Sequence, residues 1–208
     1  MSPAHADAPW ITLFDGSSLD AWREYNKQAI ESGWEVKEGE LVVIPASKEP
    51  PKTPRQNLIT KEKFAAFELE LEFRVTPGAN SGVMYHVVET PKPPYVTGPE
   101  IQIQDNTGKD PQKCGWLYQL YAAETDATKP VGEWNQLRIV VTPEECYHEM
   151  NGVRYVTYVK GSDDWDAKVA ASKFSKWDGF GEATTGHICL QDHADEVGYR
   201  NIRVRRLD

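Results

Sequence analysis

Residues 67–75 read Phe67-Glu68-Leu69-Glu70-Leu71-Glu72-Phe73-Arg74-Val75. Apolar and charged side chains alternate without a break, the period of a β-strand with one face in a core and the other in water. Thr76-Pro77-Gly78-Ala79-Asn80 supplies turn chemistry, and Ser81 to Val88 resumes as a second strand, so the pair reads as a hairpin. Further strand signals fall at Glu100–Gln104, Trp134–Thr142, Arg154–Val159, His187–Gln191 and Asn201–Arg206. Asn151-Gly152 is the dipeptide of a tight turn with both central residues at positive φ, which pairs Cys146–Met150 with Val153–Val159. Helical signals are sparse: one turn at Thr60–Phe64, and a short helix or irregular loop at Asp163–Phe174. The Pro-rich stretches Pro45–Pro54 and Pro91–Pro99 read as surface loops. Many short strands between Gly, Pro and Asn turns predict an all-β jelly-roll sandwich, two antiparallel sheets with few short helices.

Composition sets the outer limits. With 208 residues, 39% of them hydrophobic, and seven Trp, the chain has enough apolar surface for a core. We expect a flexible segment over residues 1–9 and one jelly-roll domain over 10–208. A formal charge of −9 argues against nucleic acid as a partner, and Arg200, Arg203, Arg205 and Arg206 read as a solvated strand face. Cys114, Cys146 and Cys189 are dispersed, lack C-x-x-C spacing and allow one bridge at most. No apolar run reaches the ~18 residues of a membrane span. Ala4-His5-Ala6 matches the small-x-small pattern that precedes a signal-peptidase cut, from which a secreted or periplasmic location is expected.

Glu100-Ile101-Gln102-Ile103-Gln104-Asp105 carries the most chemistry. Alternation sends Ile101 and Ile103 to the core and puts Glu100, Gln102 and Gln104 on the other face. One acid and two amides suit a polyhydroxylated ligand, although a solvated outer sheet gives the same pattern. The segment resembles the E-x-D-x-x-E signature of laminarinase-like glycoside hydrolases, with Gln102 at the middle position and Asp105 at the last. A bulge near Gln104 is needed to bring Asp105 beside Glu100. The neutral Gln102 weakens a conventional pairing of two carboxyls. In His187-Ile188-Cys189-Leu190-Gln191-Asp192-His193, Ile188 and Leu190 take the core face, so His187, Cys189, Gln191 and His193 point away from it. Asp192 is placed to orient an imidazole at a strand end. His86 reads as sharing the same surface, opposite Val83, Tyr85 and Val87. Arg74 reads either as an oxyanion-binding cation or as an ion pair with Glu100. Trp116 and Tyr118 read as sugar-stacking or core aromatics. Phosphate-cradling Gly motifs, a G-x-S-x-G elbow and an H-E-x-x-H helix do not occur.

Several landmarks stand in order along the chain: Leu13–Trp22, Phe67-Glu68-Leu69 with Glu72-Phe73-Arg74, Asn80-Ser81-Gly82, Glu100–Asp105, Gly132–Asn135, Asn151-Gly152, and Leu190–His193 followed by Arg200-Asn201-Ile202. Together they resemble the 3-keto-disaccharide hydrolase domain family. Met84, Tyr85 and His86 stand where that family often carries Arg, and Val153–Gly186 is rich in Trp and Asp. The resemblance implies a concanavalin-like jelly roll acting on glycosides already oxidised at C3. A ketone there acidifies the C2 hydrogen, so a base removes it and the C1 substituent leaves by β-elimination before water adds. The roles it implies are His193 as base, oriented by Asp192 or Glu100, with Arg74 or a divalent cation on Glu100, Asp105 and His193 at the enolate. Gln102, Gln104, Gln191, His86, Trp116 and Tyr118 would hold the sugar. Two other readings keep the same sandwich: a non-catalytic carbohydrate-binding module, and a laminarinase-like endo-glucanase.

Overall fold

The computed structural model describes residues 8–45, 55–107 and 112–208. Most of the Pro45–Pro54 stretch and of the N-terminal segment therefore lies outside the described residues. Among the described residues thirteen strands form two sheets, and every pairing between strands is antiparallel. They are β1 (Ile11–Phe14), β2 (Trp22–Glu24), β3 (Trp34–Lys37), β4 (Glu40–Val43), β5 (Leu58–Thr60), β6 (Phe67–Val75), β7 (Asn80–Val87), β8 (Glu100–Gln104), β9 (Asn135–Val141), β10 (Cys146–Met150), β11 (Val153–Tyr158), β12 (His187–Leu190) and β13 (Val197–Arg206). The eight-stranded sheet runs β11-β10-β9-β6-β13-β4-β3, with β1 also on β13; the five-stranded sheet runs β2-β5-β12-β7-β8. One helix, α1 (Asp163–Ala171), and the 3-10 turns Pro94–Val96 and Lys173–Lys176 complete the elements used below.

The alternation of β6 is realised as expected. Phe67, Leu69, Leu71 and Phe73 are at most 1% exposed and pack in the main core with Ile101, Ile103, Ile188 and Leu190 of the other sheet. Burying side chains of this size stabilises by roughly 1.5–3 kcal/mol each. On the outer face Glu72, Glu70 and Glu68 pair with Arg200, Arg203 and Arg205 of β13 at 2.7, 2.6 and 2.5 Å. Arg206 pairs with Glu62 at 2.8 Å, so all four arginines of the basic cluster are held in ion pairs.

Three local expectations need correction. The segment Thr76–Asn80 does not close a hairpin: β6 pairs with β9 and β13, whereas β7 pairs with β8 and β12. The turn carries the chain from one sheet to the other, a crossing that a sequence pattern cannot distinguish from a hairpin. Thr60–Phe64 makes no helical turn; Thr60 ends β5 and Phe64 bridges to Gly186. The third concerns His86. Its φ of 51° coincides with an irregularity in the β7–β12 register, so alternation breaks there. Val87 turns out with Met84 and Cys189, while His86 packs against Phe67 and Tyr85, with Nε2 2.8 Å from the Ala65 carbonyl.

Asn151-Gly152 behaves as its composition requires, with φ of 51° and 80° between β10 and β11. All three cysteines are free and buried. No helix among the described residues is long and apolar enough to cross a membrane.

Candidate active site

The outer face of the five-stranded sheet carries a cleft of about 320 Å3 where β8, β7 and the end of β12 lie side by side. That size is at the lower end of the ~300–1,000 Å3 common for small-ligand pockets. Its floor is built by register. Gln102 stands opposite Gly82 and Gln104 opposite Asn80, so their side chains share one face. Beyond β8 the chain at 115–118 adds backbone pairing: Gln102 N–H donates to the Trp116 carbonyl and Tyr118 N–H to the Glu100 carbonyl. This sets Tyr118 beside Glu100.

Glu100 is the only acidic side chain among the residues that line the cleft. A Cβ at Gly82 would stand 2.4 Å from its Oε1 and 2.9 Å from its Cγ, so glycine is what lets the carboxylate fold over β7. Burial pushes its pKa up to about 7, against the charge of Lys173 and a hydrogen bond with the Gln191 side chain. Beside it Gln102 Nε2 donates to Asn80 Oδ1 at 2.9 Å and to Gln104 Oε1 at 2.8 Å. With both amide hydrogens engaged, Gln102 offers its carbonyl oxygen and Asn80 its amide hydrogens to a ligand.

His193 stands at the rim, its side chain 45% exposed, with Nδ1 3.6 Å from Asp195 Oδ2. The same Asp195 oxygen accepts the Asn80 backbone N–H at 3.0 Å, which ties the histidine loop to the start of β7. Asp192, the expected orienting acid, is buried. Its two oxygens accept the N–H groups of Gln56 and Ala194 at 2.8 Å, so it holds the turn and leaves the imidazole to Asp195.

The wall comes from the segment after β11. Ser162 caps α1 by accepting the Trp165 N–H, and Ser172 accepts the Phe174 N–H as the chain enters the 3-10 turn. Phe174 stacks on Phe180 with centroids 4.0 Å apart, and Trp165 stacks on Phe180 at 6.5 Å. Trp177 meets Tyr95 of the other 3-10 turn at 5.6 Å, and Gly181 N–H donates to the Thr97 carbonyl, joining the two walls. Lys173 projects from this wall with Nζ 3.4 Å from the Tyr118 hydroxyl.

Of the residues expected from sequence, Glu100, Gln102, Gln191, His193 and Tyr118 converge on the cleft. Others do not reach it. Arg74 lies on the other sheet, its Nε 3.0 Å from Glu40 Oε2 and its guanidinium over Trp134. Gln104 sits behind Gln102 and donates to the Gln112 carbonyl. Asp105 turns back to accept N–H groups of Gly78 and Thr107, because β8 ends at Gln104 without the bulge that would have swung it round. His86 faces inward at the break in β7, with Nδ1 2.9 Å from Lys160 Nζ. Trp116 packs against the core rather than lining the cleft. Since Asp105 is elsewhere, the three-ligand cation set of Glu100, Asp105 and His193 does not form. Among the described residues no group of three or more His, Cys, Asp and Glu side chains converges.

Sequence reasoning missed Asn80 as a contact, although it opens the Asn80-Ser81-Gly82 landmark, and it missed Asp195, Tyr95, Lys173 and Trp177. The last three arrive from the two short 3-10 turns or directly after one and carry no periodic signal. A larger hollow of about 420 Å3 lies on the outer face of the eight-stranded sheet. Its acids Glu70 and Glu72 are already bonded to Arg203, Arg200 and Asn201, and Asp15 accepts the Ser17 N–H and hydroxyl, which leaves less unpaired chemistry there.

Comparison with known proteins places the chain in a family. A family model described as the 3-keto-alpha-glucoside-1,2-lyase-like domain matches residues 9–205. A 3-keto-disaccharide hydrolase of Bacteroides thetaiotaomicron is 34% identical over 99% of this chain and 81% of its own length. A crystal structure of a Parabacteroides distasonis protein, provisionally assigned as a glycosyl hydrolase, superposes with a TM-score of 0.85 at 28% identity, covering 100% of this chain and 98% of that one. A non-specific endo-beta-1,3(4)-glucanase of family GH16 shares the fold alone, with a TM-score of 0.55 and 11% identity over 97% of this chain and 93% of its own.

Proposed function

The chain belongs to the 3-keto-alpha-glucoside-1,2-lyase-like family, and from that premise we propose that it cleaves 3-keto-disaccharides or 3-keto-glucosides by C2 proton removal, β-elimination and water addition. It is a carbohydrate-active enzyme of the 3-keto-disaccharide hydrolase type. The observation that carries the mechanistic reading is the single carboxylate of the cleft. Direct displacement at C1 in glycosidases uses two flanking carboxyls, ~5–5.5 Å apart for retention or ~6.5–9.5 Å for inversion. Elimination from a 3-keto sugar needs one base.

Glu100, with its pKa at about 7, is matched to that task near neutrality. It takes the C2 proton while the C–H electron pair moves into a C2–C3 enolate. The pair then returns to restore the C3 carbonyl as the C1–C2 double bond forms and the C1–oxygen bond breaks. His193, next to Asp195 at the rim, gives the departing oxygen its proton. Water afterwards supplies a hydroxyl to C1 and a proton to C2. The Gln102 carbonyl and Asn80 amide orient sugar hydroxyls, and Trp177 and Tyr95 offer rings for an apolar sugar face.

Incubation with a 3-keto-glucoside, the unoxidised glucoside and laminarin, for wild type, Glu100→Gln and His193→Ala, tests this reading. Wild type is expected to release aglycone from the keto sugar alone, and both variants to be slower. Turnover of laminarin, or variants as fast as wild type, would overturn it.

A further inference from the structure

Elimination through an enolate places negative charge on the C3 oxygen, and something in the cleft must meet it. Arg74 is spent on Glu40 in the other sheet. Gln191 is engaged with Glu100, and the remaining amides are neutral. Lys173 is the only cationic side chain among the residues lining the cleft, apart from any charge on His193. Among the described residues no carboxylate lies within ion-pairing distance of it, so its charge is not already neutralised.

Its position is held by aromatic faces. The ammonium lies 4.5 Å from the Tyr118 ring centroid, 5.6 Å from Phe174 and 5.8 Å from Trp177, a cradle that favours a cation without consuming all its hydrogens. The charge of Lys173 also acts on Glu100, so cation and base share one site. Resting on the elimination reading, we propose that Lys173 is a catalytic residue whose ammonium hydrogen-bonds the substrate's C3 oxygen as Glu100 removes the C2 proton. The ammonium keeps its proton throughout. The electron pair from the C2–H bond moves into C2–C3, the carbonyl π pair moves onto oxygen beside Lys173, and the carbonyl re-forms as the C1 substituent leaves.

Lys173→Met tests this, because methionine retains a flexible apolar stem over the same rings and removes the charge. Lys173→Arg is the companion variant. Each is assayed on 4-nitrophenyl and methyl 3-keto-glucosides, whose leaving oxygens differ greatly in basicity. Removing one oxyanion-stabilising donor typically costs ~10²–10³-fold in kcat, so Lys173→Met should lose about that factor on both substrates, with KM changed less than about threefold and partial recovery in Lys173→Arg. Unchanged kcat on both substrates would overturn the assignment, as would a rise in KM alone. A loss confined to the methyl glycoside would also overturn it, by placing Lys173 at the leaving oxygen. Wild type with no turnover of either keto-glucoside would remove the elimination reading as well. Active wild type with an equally active Lys173→Met would remove Lys173 alone.

Discussion

Burial and the Lys173 ammonium pull the Glu100 carboxyl in opposite directions, and burial prevails, leaving its pKa at about 7. Two consequences belong to this one residue. As a base it works only when deprotonated, so the acidic limb of the kcat/KM profile should rise with pH through about 7. Glu100→Gln should lose ~10²–10⁴-fold in rate and that limb of the profile with it. For stability the sign is opposite. A carboxyl whose folded pKa lies above its unfolded value of 4.5 favours the folded state while protonated, and this contribution fades as pH rises from there through about 7. Glu100→Gln should therefore be more stable than wild type at pH 8, by about 1–3 kcal/mol in denaturant unfolding, and closer to it at pH 4. Gly82→Ala tests the same carboxylate from the neighbouring strand. The added methyl occupies the space of Glu100 Oε1, so turnover should fall at least ~10-fold by misplacing the base. The thermal midpoint should fall much less than a core cavity would cause.

At the level of elements, the cleft depends on a wall that the sheet does not supply. Trp165, Phe174 and Phe180 stack beneath Trp177 and Lys173, and Phe180 is 5% exposed. Phe180→Ala should cost roughly 3–5 kcal/mol of stability. It should also lower activity at temperatures where the protein remains folded, because the wall loses its anchor. This part of the site was poorly legible in the sequence: Asp163–Phe174 looked like a helix or a loop, and nothing in its spacing indicated which side chains would turn toward β8. The strands were legible where burial is one-sided. β6 and β8 are bounded as they stand because apolar and polar residues alternate, β10 because Asn151-Gly152 marks the turn that ends it, and the alternation of β8 puts Glu100 and Gln102 on one face. It failed at His86, where a left-handed residue reverses the faces, and at Asp105, where the strand stops. The short strands β1 to β5 carried too few alternations to be seen.

Across the whole molecule, the five-stranded sheet brings residues near 100 and 191 together because β8 and β12 both flank β7. That convergence was foreseeable as two polar strand faces, but their adjacency was not, since strand order is settled by long-range pairing. The free, buried state of Cys114, Cys146 and Cys189 means that the sandwich is held without a crosslink. Thermal unfolding with and without a thiol reductant should give the same midpoint, and a fall on reduction would indicate a bridge. The central claim, one carboxylate acting on a C2 hydrogen, is tested most directly with a 3-keto-glucoside carrying deuterium at C2. The released 3-keto sugar is analysed at once against a control for spontaneous exchange. The account predicts slower turnover than with the protio substrate and loss of deuterium from C2; full retention together with an unchanged rate would show that cleavage proceeds without breaking that bond and would contradict the assignment of Glu100 as the base.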